Sequence, residues 1–230
     1  MEPTKFDRAI KIVSLLIAVM AVIHIGWEIY QGEILDKVLF VGVQYLAMLL
    51  IIVPGMLKKR LNIEMPWMLF AFTVLFSFTG LVLGEVLEFY KKFSWWDDLL
   101  HAESGFLLAV ISLWSLRVAL AESEKPIYVN RWFLAIYLVT FPLGLAVIWE
   151  FYEFTIDGLL GVNMQQYMAS TTGSLVTKMD VPLTGRDALY DTMIDLIYTL
   201  VGAVPVAIYY LIRHDKIMAR YEKMKEGARK

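Results

Sequence analysis

Six long apolar runs limit what this chain can become. They lie at about residues 9–30, 36–57, 66–90, 96–120, 131–157 and 189–212, and each is close to the roughly 20 residues a helix needs to cross a bilayer's hydrocarbon core. A helix satisfies its own backbone hydrogen bonds in lipid, whereas the strands of a membrane barrel would be shorter and would alternate in polarity. The expected fold is all-α: a polytopic membrane bundle of about six transmembrane helices. Composition agrees, with 59% hydrophobic residues and a mean hydropathy of +0.60, more apolar than ordinary soluble domains. No Gly/Ser/Pro-rich linker divides the chain, so residues 1–230 are expected to form a single domain. The basic stretch Met1–Lys11 leads into the first run with no small-residue cleavage site after Val22, which predicts an uncleaved first span.

Orientation follows from the positive-inside rule. One set of alternate segments holds Lys5, Arg8 and Lys11; Lys58, Lys59 and Arg60; Arg117, Lys125 and Arg131; and the basic tail 213–230. The other set holds Lys37, Lys91, Lys92, Lys178 and Arg186. Both termini are therefore expected in the cytoplasm of a multi-pass plasma-membrane protein, with a long Gly/Ser/Thr-rich outer loop at 158–188. His214 then falls in a solvated tail. The formal charge of -2 and the lack of a basic stripe give no sign of a nucleic-acid partner.

Acids and histidines recur in pairs near the ends of these runs: His24/Glu28, Glu85/Glu88, Asp97/His101, Glu150/Glu153 and Asp191/Asp195. Spacings of three or four residues put both members of a pair on one helix face. With the topology above, all five pairs share one side of the bilayer, and His24, His101, Glu150 and Asp195 lie roughly 8–10 Å below the outer helix ends. The competing reading is that acids at span ends simply reach for water. The helix dipole supports it for Asp97, Asp98 and Asp191 at helix starts and opposes it for Glu85, Glu88, Glu150 and Glu153 at helix ends. Short carboxylate side chains also snorkel poorly.

Carboxylates gathered without compensation repel one another, and a divalent cation settles the electrostatics directly. Carboxylates with one or two imidazoles suit Mg, Mn, Fe or Zn. The absence of cysteine excludes thiolate ligands, disulfides and iron–sulfur clusters. Paired acids projecting inward from several helices share the principle of carboxylate-bridged dimetal bundles, although Glu-x-x-His is absent and only Asp97-x-x-x-His101 occurs.

Three stretches resemble motifs of one family. They are Phe93-Ser94-Trp95-Trp96-Asp97-Asp98-Leu99-Leu100-His101 with Ser104-Gly105; Trp149-Glu150-Phe151-Tyr152-Glu153-Phe154 with Asp157 and Asn163-Met164-Gln165; and Asp191-Thr192-Met193-Ile194-Asp195-Leu196 with Gly202-Ala203. Together they resemble the DUF2238 (YjdF-like) family of bacterial and archaeal integral membrane proteins, over about Gly84 to Ala203. The resemblance puts weight on Asp97, His101, Glu150, Glu153, Asp191 and Asp195 and implies no particular activity. The link between Gln165 and Asp191 is longer than is usual in that family.

The expected site is thus a divalent metal (Zn, Mn, Fe or Mg) on those six residues, with His24, Glu28, Glu85, Asp98 and Asp157 around them. Glu88, outside the three motifs, is the candidate general base. The leading expectation is a metal-dependent, hydrolase-type membrane enzyme acting on a lipid or lipid-linked substrate, with 158–188 as a lid. The alternatives are a cation or proton transporter or channel, which would need polar groups continuing toward the cytoplasm, and a metal-stabilised scaffold.

Overall fold

The computed structural model describes residues 5–32, 66–121, 128–170, 176 and 179–227, with isolated positions between 38 and 49. The chain folds as an all-α membrane protein, and among the described residues five helices are long and apolar enough to cross a bilayer. The expected span at 36–57 lies almost entirely outside the described residues. The helices form two units, Met1–Phe89 and Tyr90–Lys230.

In the first unit, α1 (Lys5–Tyr30) carries the first apolar run, and α2 (Trp67–Ser77) begins the third. Ile10, Ile17, Val41, Tyr45 and Phe70 make its core. The third span was expected as one helix over 66–90. Instead α2 gives way to a π-helical stretch, Phe78–Val86, then to a break and the four-residue α3 (Phe89–Lys92). Two features accompany the change. Thr79 donates its hydroxyl back to the Phe76 and Leu75 carbonyls, 2.8 and 3.2 Å away, which competes with the regular ladder. Leu87 N–H then bonds the carbonyl of Val82, five residues back, and Glu88 takes a left-handed φ of 58° that ends the helix.

The second unit is a three-helix core of α4 (Trp96–Ala121), α5 (Arg131–Leu160) and α6 (Tyr190–Gly227). Asn130 caps α5, its side chain accepting from Trp132 and Phe133 N–H, and Gly161 closes it at φ 63°. The 30 residues of α5 span about 45 Å, so it runs past the boundary expected at 157. Its buried residues form one stripe: Leu134, Leu138, Pro142, Ala146, Glu150, Glu153 and Asp157. The first four members of that stripe are apolar and the last three are acidic. The opposite face is apolar and exposed, with Ile148, Phe151 and Phe154 pointing outward as a lipid-facing surface requires.

Close packing of α4 on α6 depends on two glycines. A Cβ on Gly105 would strike the Thr199 carbonyl oxygen, and one on Gly202 would strike that of Ala102. Deeper in the bundle, Ala109, Ala203 and Val206 form one apolar layer and Leu113, Leu134, Leu138 and Ala207 another.

At the far end His214 is buried, which corrects its expected place in a solvated tail. The helix of α6 continues to Gly227, and that continuation carries His214 into the bundle. Its Nε2 lies 2.6 Å from the Val129 carbonyl oxygen, its Nδ1 3.0 Å from Asp215 Oδ1, and Tyr128 packs edge-on against the ring.

Between α5 and α6, β1 (Met168–Ala169) pairs antiparallel with β2 (Val181–Pro182). Asn163 fixes the approach to this pair, accepting from Met168 N–H and donating to the Met168 carbonyl.

Candidate metal centre

The acidic end of the α5 stripe meets the starts of α4 and α6. Asp97 and His101 sit one turn apart on α4, with Asp97 Oδ1 3.7 Å from His101 Nε2. Across the helix interface, Asp195 Oδ2 of α6 lies 3.5 Å from the same nitrogen. Glu150 and Glu153 come from α5. These five residues form two triads, Asp97/His101/Asp195 and Glu150/Glu153/Asp195, and within each triad the potential ligand atoms lie within 4.8 Å of one another. Asp195 belongs to both.

Burial rules out acids that merely reach for water. Asp195 is 2% exposed, Glu150 5% and Glu153 7%. At an effective dielectric constant of about 20, two ionised carboxylates 4.8 Å apart repel by roughly 3–4 kcal/mol. Several such pairs rival the whole stability of a typical domain, about 5–15 kcal/mol. The cluster therefore either takes up protons or is compensated by a cation. Among the described residues, His101 is the basic group within ion-pair distance of it.

Neighbouring side chains hold the carboxylates. Glu150 accepts from Gln165 Nε2 at Oε2 (3.2 Å), while its Oε1 is buried with no hydrogen-bond partner. Glu153 accepts from Trp149 Nε1 at Oε1 (2.7 Å), and its Oε2 is buried without a partner. Asp195 turns Oδ2 to His101 and leaves Oδ1 buried and unpartnered. Asp97 receives Gln166 Nε2 at Oδ2 (3.0 Å) and turns Oδ1 to His101. In the two glutamates one oxygen is anchored and the other left over, which is how outer partners orient metal-ligating carboxylates. Asp97, by contrast, has both oxygens engaged, and the partner of Asp195 Oδ2 is His101, itself a potential ligand. A buried acceptor without a partner costs about 1–3 kcal/mol, so three together point to a missing electropositive partner.

The other expected residues divide. Asp191, one turn before Asp195, has a buried, unpartnered Oδ2 but stands outside both triads. Asp157 is buried with both oxygens committed, to Met164 N–H (2.8 Å) and Gln165 N–H (2.9 Å). It acts at one remove, fixing the turn that delivers the Gln165 side chain to Glu150. Asp98 is half-buried on α4, outside the triads. His24 and Glu28 belong to the first unit, where they pair with each other at 3.2 Å. Glu85 lies in the π-helical stretch of that unit, and Glu88 just beyond it is exposed.

Sequence reasoning missed the amides. Gln165, which also donates to Thr192 Oγ1 (3.0 Å), and Gln166 were not singled out as site residues. For Gln165 a signal existed, since it closes the Asn163-Met164-Gln165 motif; for Gln166 there was none. Trp149, which opens the second motif, also belongs to this group. Its ring is half exposed, and its indole N–H serves the cluster.

A protein of Thermotoga maritima, printed as "Uncharacterized protein", is 31% identical over 133 residues, which are 55% of this chain and 53% of that one. The chain thus spans about half the length of this relative. No solved structure matches the chain. A family model described as "Predicted membrane protein (DUF2238)" matches residues 10–216, a stretch that takes in the four carboxylates of the triads and His101. The chain belongs to the DUF2238 family of predicted membrane proteins.

Proposed function

We propose that the cluster holds a divalent metal and that the protein is a metal-dependent enzyme of hydrolase type, acting on a lipid or lipid-linked substrate at the outer face of the plasma membrane. The observation that carries the reading is the set of buried, unpartnered oxygens on Glu150, Glu153 and Asp195, with the two glutamates held on their other oxygens by Gln165 and Trp149. The donor set is mostly carboxylate with one imidazole, which suits Mg, Mn, Fe or Zn. A bound divalent ion supplies Lewis acidity and an activated water. The chain's own part is to fix the ligands, through Gln165, Gln166 and Trp149, and to keep the site away from bulk water. Trp149 supports a lipid substrate: one edge of the ring holds Glu153 and the rest faces outward among exposed apolar side chains. Glu88 is kept as the candidate general base on sequence grounds, to be judged by Glu88→Gln, which should retain metal and lose turnover.

Conduction through the second unit fits less well. The apolar layers around Ala109, Ala203, Leu113 and Leu138 lie between the cluster and His214, and the hydroxyls at that level, on Ser112, Ser115 and Tyr137, are engaged with the helix backbone or with each other. The test is hydrolysis of ester and phosphoester lipids, and of lipid-linked phosphoesters, by protein in proteoliposomes. Turnover should disappear with chelator and return with Mn or Zn, and Asp195→Ala should lose metal and turnover together. Metal-dependent folding without turnover of any substrate would favour the scaffold reading instead.

A further inference from the structure

We infer that the centre is dinuclear, with Asp195 bridging two divalent ions, one held by Asp97 and His101 and the other by Glu150 and Glu153. The inference rests on the metal reading above and goes beyond it in number and arrangement. Its first ground is geometric. The donors fall into two triads rather than one group of five, and Asp195 is the member they share. A single ion binds nitrogen and oxygen donors at about 2.0–2.2 Å, so its donors must lie close to one another, as those within each triad do.

The second ground is the environment of Asp195 itself. It is the most buried of the five, and its oxygens are differently placed, Oδ2 facing His101 and Oδ1 buried with no partner. A carboxylate with one oxygen facing a ligand of one site and its second oxygen unpartnered can bridge paired metals, which stand about 3.5–4 Å apart in two-metal centres. Charge is the third ground. The triads contain four carboxylates, Asp97, Glu150, Glu153 and Asp195, and a neutral or cationic His101. Fully ionised, those four carboxylates match two divalent ions, whereas a single ion would leave two of the negative charges to be taken up by protons. A paired centre also fits the proposed hydrolysis, because two ions can hold an attacking water and a leaving oxygen at once.

The test uses full-length protein, purified in detergent, stripped by chelator and reloaded with Mn alone. Metal content is measured by mass spectrometry and ion–ion coupling by electron paramagnetic resonance. The expected result is two Mn per chain with an exchange-coupled spectrum. In His101→Ala and, separately, Glu150→Ala, content should fall to one Mn per chain with the spectrum of an isolated ion. Wild-type protein that binds one Mn, magnetically isolated, overturns the dinuclear inference and leaves the single-metal reading standing. Two Mn without coupling, both retained in His101→Ala, would mean an unrelated second site and also overturns it. Wild-type protein that binds none overturns both readings. The wild-type spectrum decides the matter even if a variant fails to fold.

Discussion

His101 on α4 and Asp195 on α6 meet with Nε2 and Oδ2 3.5 Å apart, one turn from Gly105 and two turns from Gly202, the glycines that let their helices touch. Gly105 lies against the Thr199 carbonyl and Gly202 against that of Ala102. The obstacle to a side chain at either position is backbone, which cannot swing aside. Gly105→Ala and Gly202→Ala should each cost about 1–3 kcal/mol, the usual range for overpacking. Both should also weaken metal retention, because the ligands on α4 and α6 are moved apart. Thermal unfolding in detergent with metal titration checks this. Wild-type stability in both variants would mean the interface is looser than it is drawn.

Gln165 and Trp149 each hold one glutamate oxygen and leave the other for a ligand. Gln165→Leu and Trp149→Phe keep the bulk and remove the donor. Each should lower metal affinity by roughly 10–100-fold, as loss of such outer partners does elsewhere, with the fold intact. Competition with a chelator of known affinity provides the measurement. Unchanged affinity in both variants would show that the glutamates are not positioned through these contacts.

His214 sits at the other end of the bundle and offers a contrast. His214→Phe fills the space but leaves the Val129 carbonyl without its partner at 2.6 Å. The expected cost is about 1–3 kcal/mol of stability, with metal content unchanged. Loss of metal in this variant would link two ends of the core that should behave independently.

Much of this arrangement could be read from the sequence because membrane helices leave few choices. Apolar runs fix the spans, and a pair such as Glu150/Glu153 must share a face whichever neighbours surround it. Sequence reasoning also identified the six residues later found at or beside the cluster. It failed where local geometry overrides pattern. Nothing in the run 66–90 gives away the π-helical stretch or the left-handed Glu88. His214 looked solvated because its neighbours are charged, yet the helix continues and turns its ring inward. The anchoring amides of Gln165 and Gln166 come from a turn whose shape is set by Asp157 and Asn163, and no periodicity predicts such a turn.

Membrane orientation is a separate expectation, drawn from the Lys/Arg asymmetry between alternate loops. The chain contains no cysteine, so single cysteines can be placed freely. Ser170→Cys should react with an impermeant reagent on intact cells, and Ser123→Cys only after lysis. The reverse result would put the cluster at the cytoplasmic face.

The central claim is that Glu150, Glu153, Asp195, Asp97 and His101 hold a divalent metal. Metal analysis of purified wild-type protein beside Glu150→Ala tests it most directly. The account expects stoichiometric metal in the wild type and a clear reduction in the variant, with thermal stability of the wild type falling on chelation and returning with Mn, Fe, Zn or Mg. Metal-free wild-type protein that none of these ions stabilises would contradict it.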